Sequence, residues 1–160
     1  MDQLLRRTEG LPELTLAAGE TIVREGEKGD GLWILVSGRL AVSKAAVAIA
    51  SISQPGAAIG EVSILLNSPY SATVVASESS IVRYAADGRS LLMSDPDVTR
   101  LIAVGLAERL ALVTTYLADL KNQYSDSPGL AMVSDVLGQL THHQRTPARA
   151  GSVREPNPDY

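Results

Sequence analysis

One stretch decides the fold: Ile59-Gly60-Glu61-Val62-Ser63-Ile64-Leu65-Leu66, continued by Asn67-Ser68-Pro69-Tyr70-Ser71-Ala72-Thr73-Val74. Gly60 allows the backbone to approach a ligand closely. Glu61 begins a predicted helix of about one and a half turns, which is too short to be stable alone. Pro69 ends this helix and returns the chain to a strand. Because the first turn of a helix has free backbone N–H groups that attract anions, a bound phosphate would explain this unusual local structure.

The residues around this 59–74 segment show a pattern of short strands. From residue 13 to about residue 85, apolar runs rich in β-branched residues alternate with turns that contain glycine. The runs lie at 21–23, 32–36, 40–42, 47–49, 73–75 and 81–82. Many short strands at regular spacing predict a sandwich or roll. We therefore expect a mainly β domain with flanking helices (α+β by class), a jelly-roll-like double-stranded β-roll of about seven or eight strands.

Helical patterns replace the strands after Asp87, which is a good N-cap for a short helix. Asp95 is a second N-cap, followed by Pro96 at the favoured first helical position. Apolar residues at steps of three and four then predict a long amphipathic helix to about Tyr124. A second helix is expected from Ser127-Pro128 to about His142. This divides the chain into a β-roll domain at 1–95, a helical segment at 96–143 and a disordered tail at 144–160.

The 59–74 segment resembles the phosphate-binding cassette of cyclic-nucleotide-binding domains, a family that includes catabolite activator proteins and regulatory subunits of cyclic-AMP-dependent kinase. The upstream stretch is also similar, at Gly19-Glu20, Glu25-Gly26, Gly29-Asp30 and the strand 32–38. The strand-rich resemblance covers about residues 13–85, and the helix after Pro96 looks like the hinge and dimerisation helix of the family. The resemblance implies a small regulatory domain that binds a cyclic nucleotide.

The resemblance also implies roles for single residues. In the family, the Gly-Glu pair supplies a carboxylate to the ribose 2′-hydroxyl, which would be Glu61 here. The arginine that pairs with the cyclic phosphate is replaced by Tyr70. Because an arginine–phosphate pair is charge-assisted and tyrosine offers one neutral donor, we expect cyclic nucleotide affinity to fall by about two or more orders of magnitude. Ala72 stands where the family uses threonine to favour cyclic GMP, so cyclic AMP is the better expected ligand.

The predicted ligand-binding residues are Gly60, Glu61, Val62, Ser63, Tyr70, Ser71 and Ala72. A plainer interpretation stays open for them, because Gly60-Glu61 is also what a tight turn with a capping carboxylate requires. In that interpretation the Tyr70 ring covers an empty pocket. Trp33 lies in an apolar strand and is expected in the core or half-buried. No bound cofactor is expected beyond a weak cyclic nucleotide ligand.

Composition argues against an enzyme and against a metal site. The chain has no cysteine, which removes thiol catalysis and cysteine-based zinc sites. Its two histidines, His142 and His143, are adjacent and would point about 100° apart on a helix. A metal-dependent cupin, which needs several histidines on its strands, is therefore excluded, and no nucleophile elbow appears.

Composition also limits the expected partners. The net charge of −4, from 14 basic and 18 acidic residues, lacks the basic footprint of nucleic-acid binding. No recognition helix follows the predicted helix that ends near His142. Because no uncharged apolar run approaches about eighteen residues, we expect no membrane span. The N terminus has no long apolar run, so no signal peptide and a cytoplasmic location are expected.

These observations lead to two functional hypotheses. The first is a stand-alone sensor in signal transduction that passes its state to a protein partner by association. It would form a homodimer through 96–124, where Leu106, Val113 and Leu120 repeat every seven residues. The alternative is a degenerate domain that binds no nucleotide and acts as a dimerising adaptor, or binds a different small ligand.

Overall fold

The computed structural model describes residues 2–124 and 131–142. In chain order the elements are α1 (Asp2–Arg7), β1 (Glu13–Leu16), β2 (Thr21–Val23), β3 (Leu32–Ser37), β4 (Leu40–Lys44), β5 (Val47–Ile52), β6 (Ala58–Ile59), α2 (Glu61–Leu66), β7 (Thr73–Ala76), β8 (Ser80–Ala85), α3 (Gly88–Ser94), α4 (Pro96–Gln123) and α5 (Ala131–His142).

The strands form two four-stranded sheets over the described residues, ordered β1-β8-β3-β6 and β2-β7-β4-β5. All paired neighbours are antiparallel. Strands distant in sequence lie side by side, since β3 pairs with β8 and aligns Trp33 with Tyr84. The prediction of a β-roll with flanking helices and a long following helix is therefore confirmed.

Two hydrophobic clusters meet at β3, because both faces of this strand are buried. Leu35 contributes to one cluster, which is built from both sheets, while Leu32 and Ile34 contribute to the other. The second cluster includes residues from the helices: Leu4, Ile64, Leu92, Val98 and Ile102. The sequence Leu32-Trp33-Ile34-Leu35 is continuous rather than alternating for this reason. The helix α2, which opens the predicted site, is thereby fixed to the roll through Ile64.

The helices after the roll begin as their caps predict. The Asp87 carboxylate accepts a hydrogen bond from the Ser90 N–H at 2.8 Å. The Asp95 carboxylate accepts hydrogen bonds from the N–H groups of Asp97 and Val98, at 3.0 and 3.1 Å. These bonds satisfy donors that a helix leaves unpaired at its first turn. The predicted Ser127-Pro128 start of the next helix lies outside the described residues.

Packing divides the described residues into two compact units, with the division between residues 107 and 108. The sequence-based boundary at residue 96 follows the start of α4. The first unit extends beyond that point because Val98 and Ile102 are buried, at 0% and 3% exposure. The predicted tail at 144–160 lies outside the part of the chain that the structure describes.

The later part of α4 exposes large apolar side chains: Leu110, Leu112, Val113 and Tyr116. By length and composition the helix is apolar enough to cross a membrane, with a mean hydropathy of 1.6 over its best 18-residue window. The expectation of no span rested on uncharged runs, and Glu108-Arg109 does interrupt them. Only 6% of that window is buried, so much of this apolar surface is uncovered in the isolated chain.

The β4–β5 turn has an unusual backbone. Ala45 and Ala46 both adopt the left-handed conformation, with φ of 48° and 62°. The Glu25 carboxylate accepts a hydrogen bond from the Ala45 N–H at 2.8 Å. The Glu25 N–H in turn donates to the Thr73 hydroxyl at 3.0 Å. Glu25 therefore connects the end of this hairpin to the start of β7.

Candidate functional site

Gly60 opens the predicted site in a conformation that requires glycine. Its φ of 93° is left-handed. A Cβ at this position would lie 2.5 Å from the Gly31 carbonyl oxygen and 3.4 Å from the Trp33 ring. The close approach predicted for Gly60 is therefore real, but its neighbour is the chain leading into β3.

The first turn of α2 faces inward. Glu61 is 3% exposed and has a polar partner within the chain. Ser63 is 4% exposed, and its hydroxyl donates to the Pro69 carbonyl at 3.3 Å. Val62 is half-buried. The Ser63 contact connects the helix to the turn that precedes Tyr70.

Tyr70 is buried, at 8% exposure. Its ring lies 6.2 Å from the Trp33 ring, centroid to centroid, at an angle of 60°. A Cβ added to Gly29 would overlap the Tyr70 hydroxyl and lie 3.0 Å from two ring carbons. The Tyr70 side chain therefore packs onto the segment that precedes β3.

Backbone hydrogen bonds reinforce this packing. The Tyr70 N–H donates to the Glu27 carbonyl at 2.9 Å, and the Gly26 N–H donates to the Tyr70 carbonyl at 2.9 Å. Such bonds contribute about 0.5–1.5 kcal/mol each. Residues 26–31 are thus fixed to the 59–74 segment by both main chain and side chain.

Trp33 links Tyr70 to the opposite strand. Its ring stacks on Tyr84 with centroids 5.0 Å apart and an interplanar angle of 28°. The same ring covers Gly31, because a Cβ there would lie 2.5 Å from a Trp33 ring carbon. Trp33 is half-buried, as expected, but its position beside the predicted site could not be inferred from the sequence alone. The only sequence signal was an aromatic residue directly after Gly29-Asp30-Gly31-Leu32.

Burial dominates the electrostatic surroundings of Tyr70. It is the largest cause of a raised pKa at the Tyr70 hydroxyl, and a hydrogen bond with the Gly31 backbone acts in the opposite direction. Tyr84, Asp30 and Glu27 raise this pKa further. Each of the two carboxylates also faces an arginine, since Glu27 lies 3.9 Å from Arg24 and Asp30 lies 3.7 Å from Arg89. These ion pairs offset the negative charge near Tyr70.

The remaining predicted site residues are less enclosed. Ser71 is exposed and Ala72 is half-buried. The structure therefore brings together Gly60, Glu61, Ser63 and Tyr70 and leaves Ser71 at the surface.

A shallow groove elsewhere is lined by α3 and its N-cap, and it includes none of the predicted site residues. Within residues 2–124 and 131–142, no cluster of histidine, aspartate and glutamate could hold a metal ion.

Comparison with known proteins identifies the family. The cyclic nucleotide-binding domain family matches residues 13–95, and the chain belongs to it. A cAMP-dependent protein kinase regulatory subunit from Yarrowia lipolytica is 26% identical over 137 residues, which cover 79% of this chain and 36% of that protein. A CRP-like cAMP-activated global transcriptional regulator from Mycobacterium tuberculosis is 30% identical over 128 residues, covering 76% of this chain and 56% of the regulator.

A solved structure supports the fold. The catabolite activator protein of Thermus thermophilus matches with a TM-score of 0.60 at 22% identity, covering 76% of this chain and 60% of that one. The chain spans less than two thirds of the length of the two sequence relatives, at 36% and 56%. The family match is to a regulatory, ligand-binding domain rather than to a catalytic one. The chain is therefore a regulatory domain of the cyclic-nucleotide-binding type.

Proposed function

We propose that this chain is a sensor that binds a cyclic nucleotide weakly and signals by association. The observation that carries the proposal is the buried Glu61, which directly follows the left-handed Gly60 in a chain of this family. A carboxylate held in this way is suited to accept hydrogen bonds from the hydroxyl groups of a ribose. No catalytic role is proposed.

The proposed ligand is cyclic AMP in preference to cyclic GMP. Ala72 supplies no side-chain hydroxyl where cyclic GMP-selective relatives would use one. With Tyr70 in place of the arginine, the affinity is expected to be about two orders of magnitude below that of an arginine-bearing site.

The proposed output is a homodimer formed through 96–124, which can also engage a protein partner. Exposed apolar side chains along the later part of α4 support it, since contiguous exposed apolar surface marks interaction sites. Leu110, Leu117 and Tyr124 add a second set of seven-residue spacings to Leu106, Val113 and Leu120. A cytoplasmic location and the absence of nucleic-acid and membrane partners stay predictions.

A second candidate is an adaptor that dimerises without binding a nucleotide. The burial of the Tyr70 ring against Gly29 and Trp33 favours it, because the site is filled by the chain itself. The two candidates share the dimer and differ in the ligand.

Calorimetric titration of cyclic AMP and cyclic GMP into wild type and Tyr70→Arg separates these candidates. The sensor predicts weak binding by wild type, stronger binding by Tyr70→Arg and a preference for cyclic AMP. The control Glu61→Ala in the Tyr70→Arg background should lose part of the gain, because it removes the ribose partner. If Tyr70→Arg binds neither nucleotide while light scattering shows a dimer, the adaptor replaces the sensor.

A further inference from the structure

The contact between Tyr70 and residues 26–31 is closely packed. Three glycines surround it, and each lacks room for a side chain. At Gly29 the obstacle is the Tyr70 ring, at Gly31 the Trp33 ring, and at Gly60 the Gly31 carbonyl oxygen. Aromatic rings therefore lie directly on the backbone at Gly29 and Gly31, where only glycine leaves room for them.

The same contact closes the predicted site from within. Tyr70 has its backbone paired with Gly26 and Glu27, so the main chain stays in place while the ring can rotate about its side-chain bonds. A ligand phosphate that approaches Tyr70 therefore meets a buried ring. It can gain contacts only after the ring leaves Gly29.

We propose that Tyr70 and Trp33 form an aromatic latch, which holds the 59–74 segment closed and restricts ligand binding to a minor state with the Tyr70 ring displaced. This inference rests on the proposed cyclic nucleotide site and adds its regulation. When only a fraction of the protein is competent to bind, the apparent Kd rises by the inverse of that fraction. Opening the latch therefore strengthens binding even when no positive charge is added.

The chain contains a built-in reporter for this test. Trp33 is the single tryptophan in the sequence, so intrinsic fluorescence arises from the latch itself. Tyr70→Ala removes the ring, Tyr70→Leu removes it with less lost volume in case the alanine variant does not fold, and Tyr70→Phe keeps the ring. Tyr84→Ala is the matched control, because it makes the same truncation on the other side of Trp33.

The experiment combines acrylamide quenching of Trp33 with calorimetric titration of cyclic AMP. The latch predicts faster quenching and about tenfold tighter binding for Tyr70→Ala or Tyr70→Leu than for wild type, if the open state is about a tenth of the molecules. Tyr70→Phe keeps the ring, so acrylamide should quench Trp33 in this variant at the wild-type rate. Tyr84→Ala should change Trp33 emission without tightening cyclic AMP binding.

Tyr70→Arg distinguishes failure of the latch from failure of the proposed function. If Tyr70→Arg binds cyclic AMP more tightly while Tyr70→Ala and Tyr70→Leu bind no better than wild type, the site lacks charge only and the latch is overturned. Unchanged quenching in both of these neutral variants overturns it as well. If acrylamide quenches Trp33 faster in the neutral Tyr70 variants but no variant binds cyclic AMP, the rings do close the 59–74 segment and the proposed ligand is wrong.

Discussion

The first turns of α4 and its later part share the same apolar periodicity but differ in burial. In the first turns Val98 and Ile102 are buried with the core of the roll, whereas Leu112 and Val113 in the later part are 71% and 50% exposed. Helical periodicity marks both parts as amphipathic and cannot say which apolar residues stabilise the fold and which meet a partner. The difference assigns the first part to stability and shows that the apolar side chains of the second part are uncovered in the isolated chain.

Truncation of the buried part should have the largest effect. Ile102→Ala is expected to lower the free energy of unfolding by about 2–5 kcal/mol, because it removes buried methyl groups and leaves a cavity. Leu112→Ala is the matched control and should change it by no more than about 0.5 kcal/mol. Urea unfolding of both variants makes the comparison. If both variants lose the same free energy of unfolding, the later part of α4 is also covered in solution.

Tyr70 tests the same distinction inside the roll, where a buried side chain occupies a position predicted to bind ligand. Tyr70→Arg exchanges packing for charge and should raise cyclic AMP affinity by about 100-fold. Without ligand it should be neutral or mildly destabilising. With millimolar cyclic AMP its melting temperature should rise, because the ligand stabilises the folded state alone. Calorimetry that detects no gain would assign Tyr70 to packing only.

Polar substitutions on the later part of α4 should affect assembly. Leu110→Gln with Val113→Gln interrupts the seven-residue seam and is expected to weaken dimerisation by about tenfold or more. Leu112→Gln lies off the seam on a more exposed residue, so it should leave the dimer intact. Light scattering across micromolar concentrations measures both. A wild-type monomer at tens of micromolar would contradict the dimer.

A smaller effect is expected at high pH. The pKa of Tyr70 is raised above its ordinary value of 10.0, chiefly by burial. The folded state therefore holds the proton more tightly than the unfolded state, and the resulting stability is present below pH 10 and lost as the pH rises through the folded pKa. The melting temperature of wild type should fall more steeply above pH 10 than that of Tyr70→Phe. Parallel curves would show that the hydroxyl is already solvated.

Local patterns were enough to predict much of the fold. The glycine-spaced apolar runs indicated the strands, and Asp87 and Asp95 marked the helix starts that the structure confirms. The sequence predicted a close backbone approach at Gly60, while its left-handed conformation was seen only in the structure. Each of these features depends on residues near one another in sequence, where propensity and capping act.

The contacts of Tyr70 and Trp33 could not be predicted in this way. The Trp33–Tyr84 stack depends on the register between β3 and β8, and the Tyr70 contact depends on where residues 26–31 return to the roll. No periodicity in one sequence encodes such long-range pairings. The sequence also could not predict that the apolar side chains in the later part of α4 are exposed. Helical periodicity marks an apolar face but does not show what covers it.

The left-handed turn at Ala45 and Ala46 has a consequence for the order of folding. Such a backbone costs alanine roughly 1–2 kcal/mol per residue, and the hydrogen bond from the Ala45 N–H to Glu25 offsets part of this only after β2 and β7 are in place. The β4–β5 hairpin, although local in sequence, should therefore be absent from the folding transition state. Ala46→Gly should slow unfolding and leave the folding rate constant unchanged, which stopped-flow measurements can resolve. If this substitution accelerates folding instead, the hairpin forms early despite its turn.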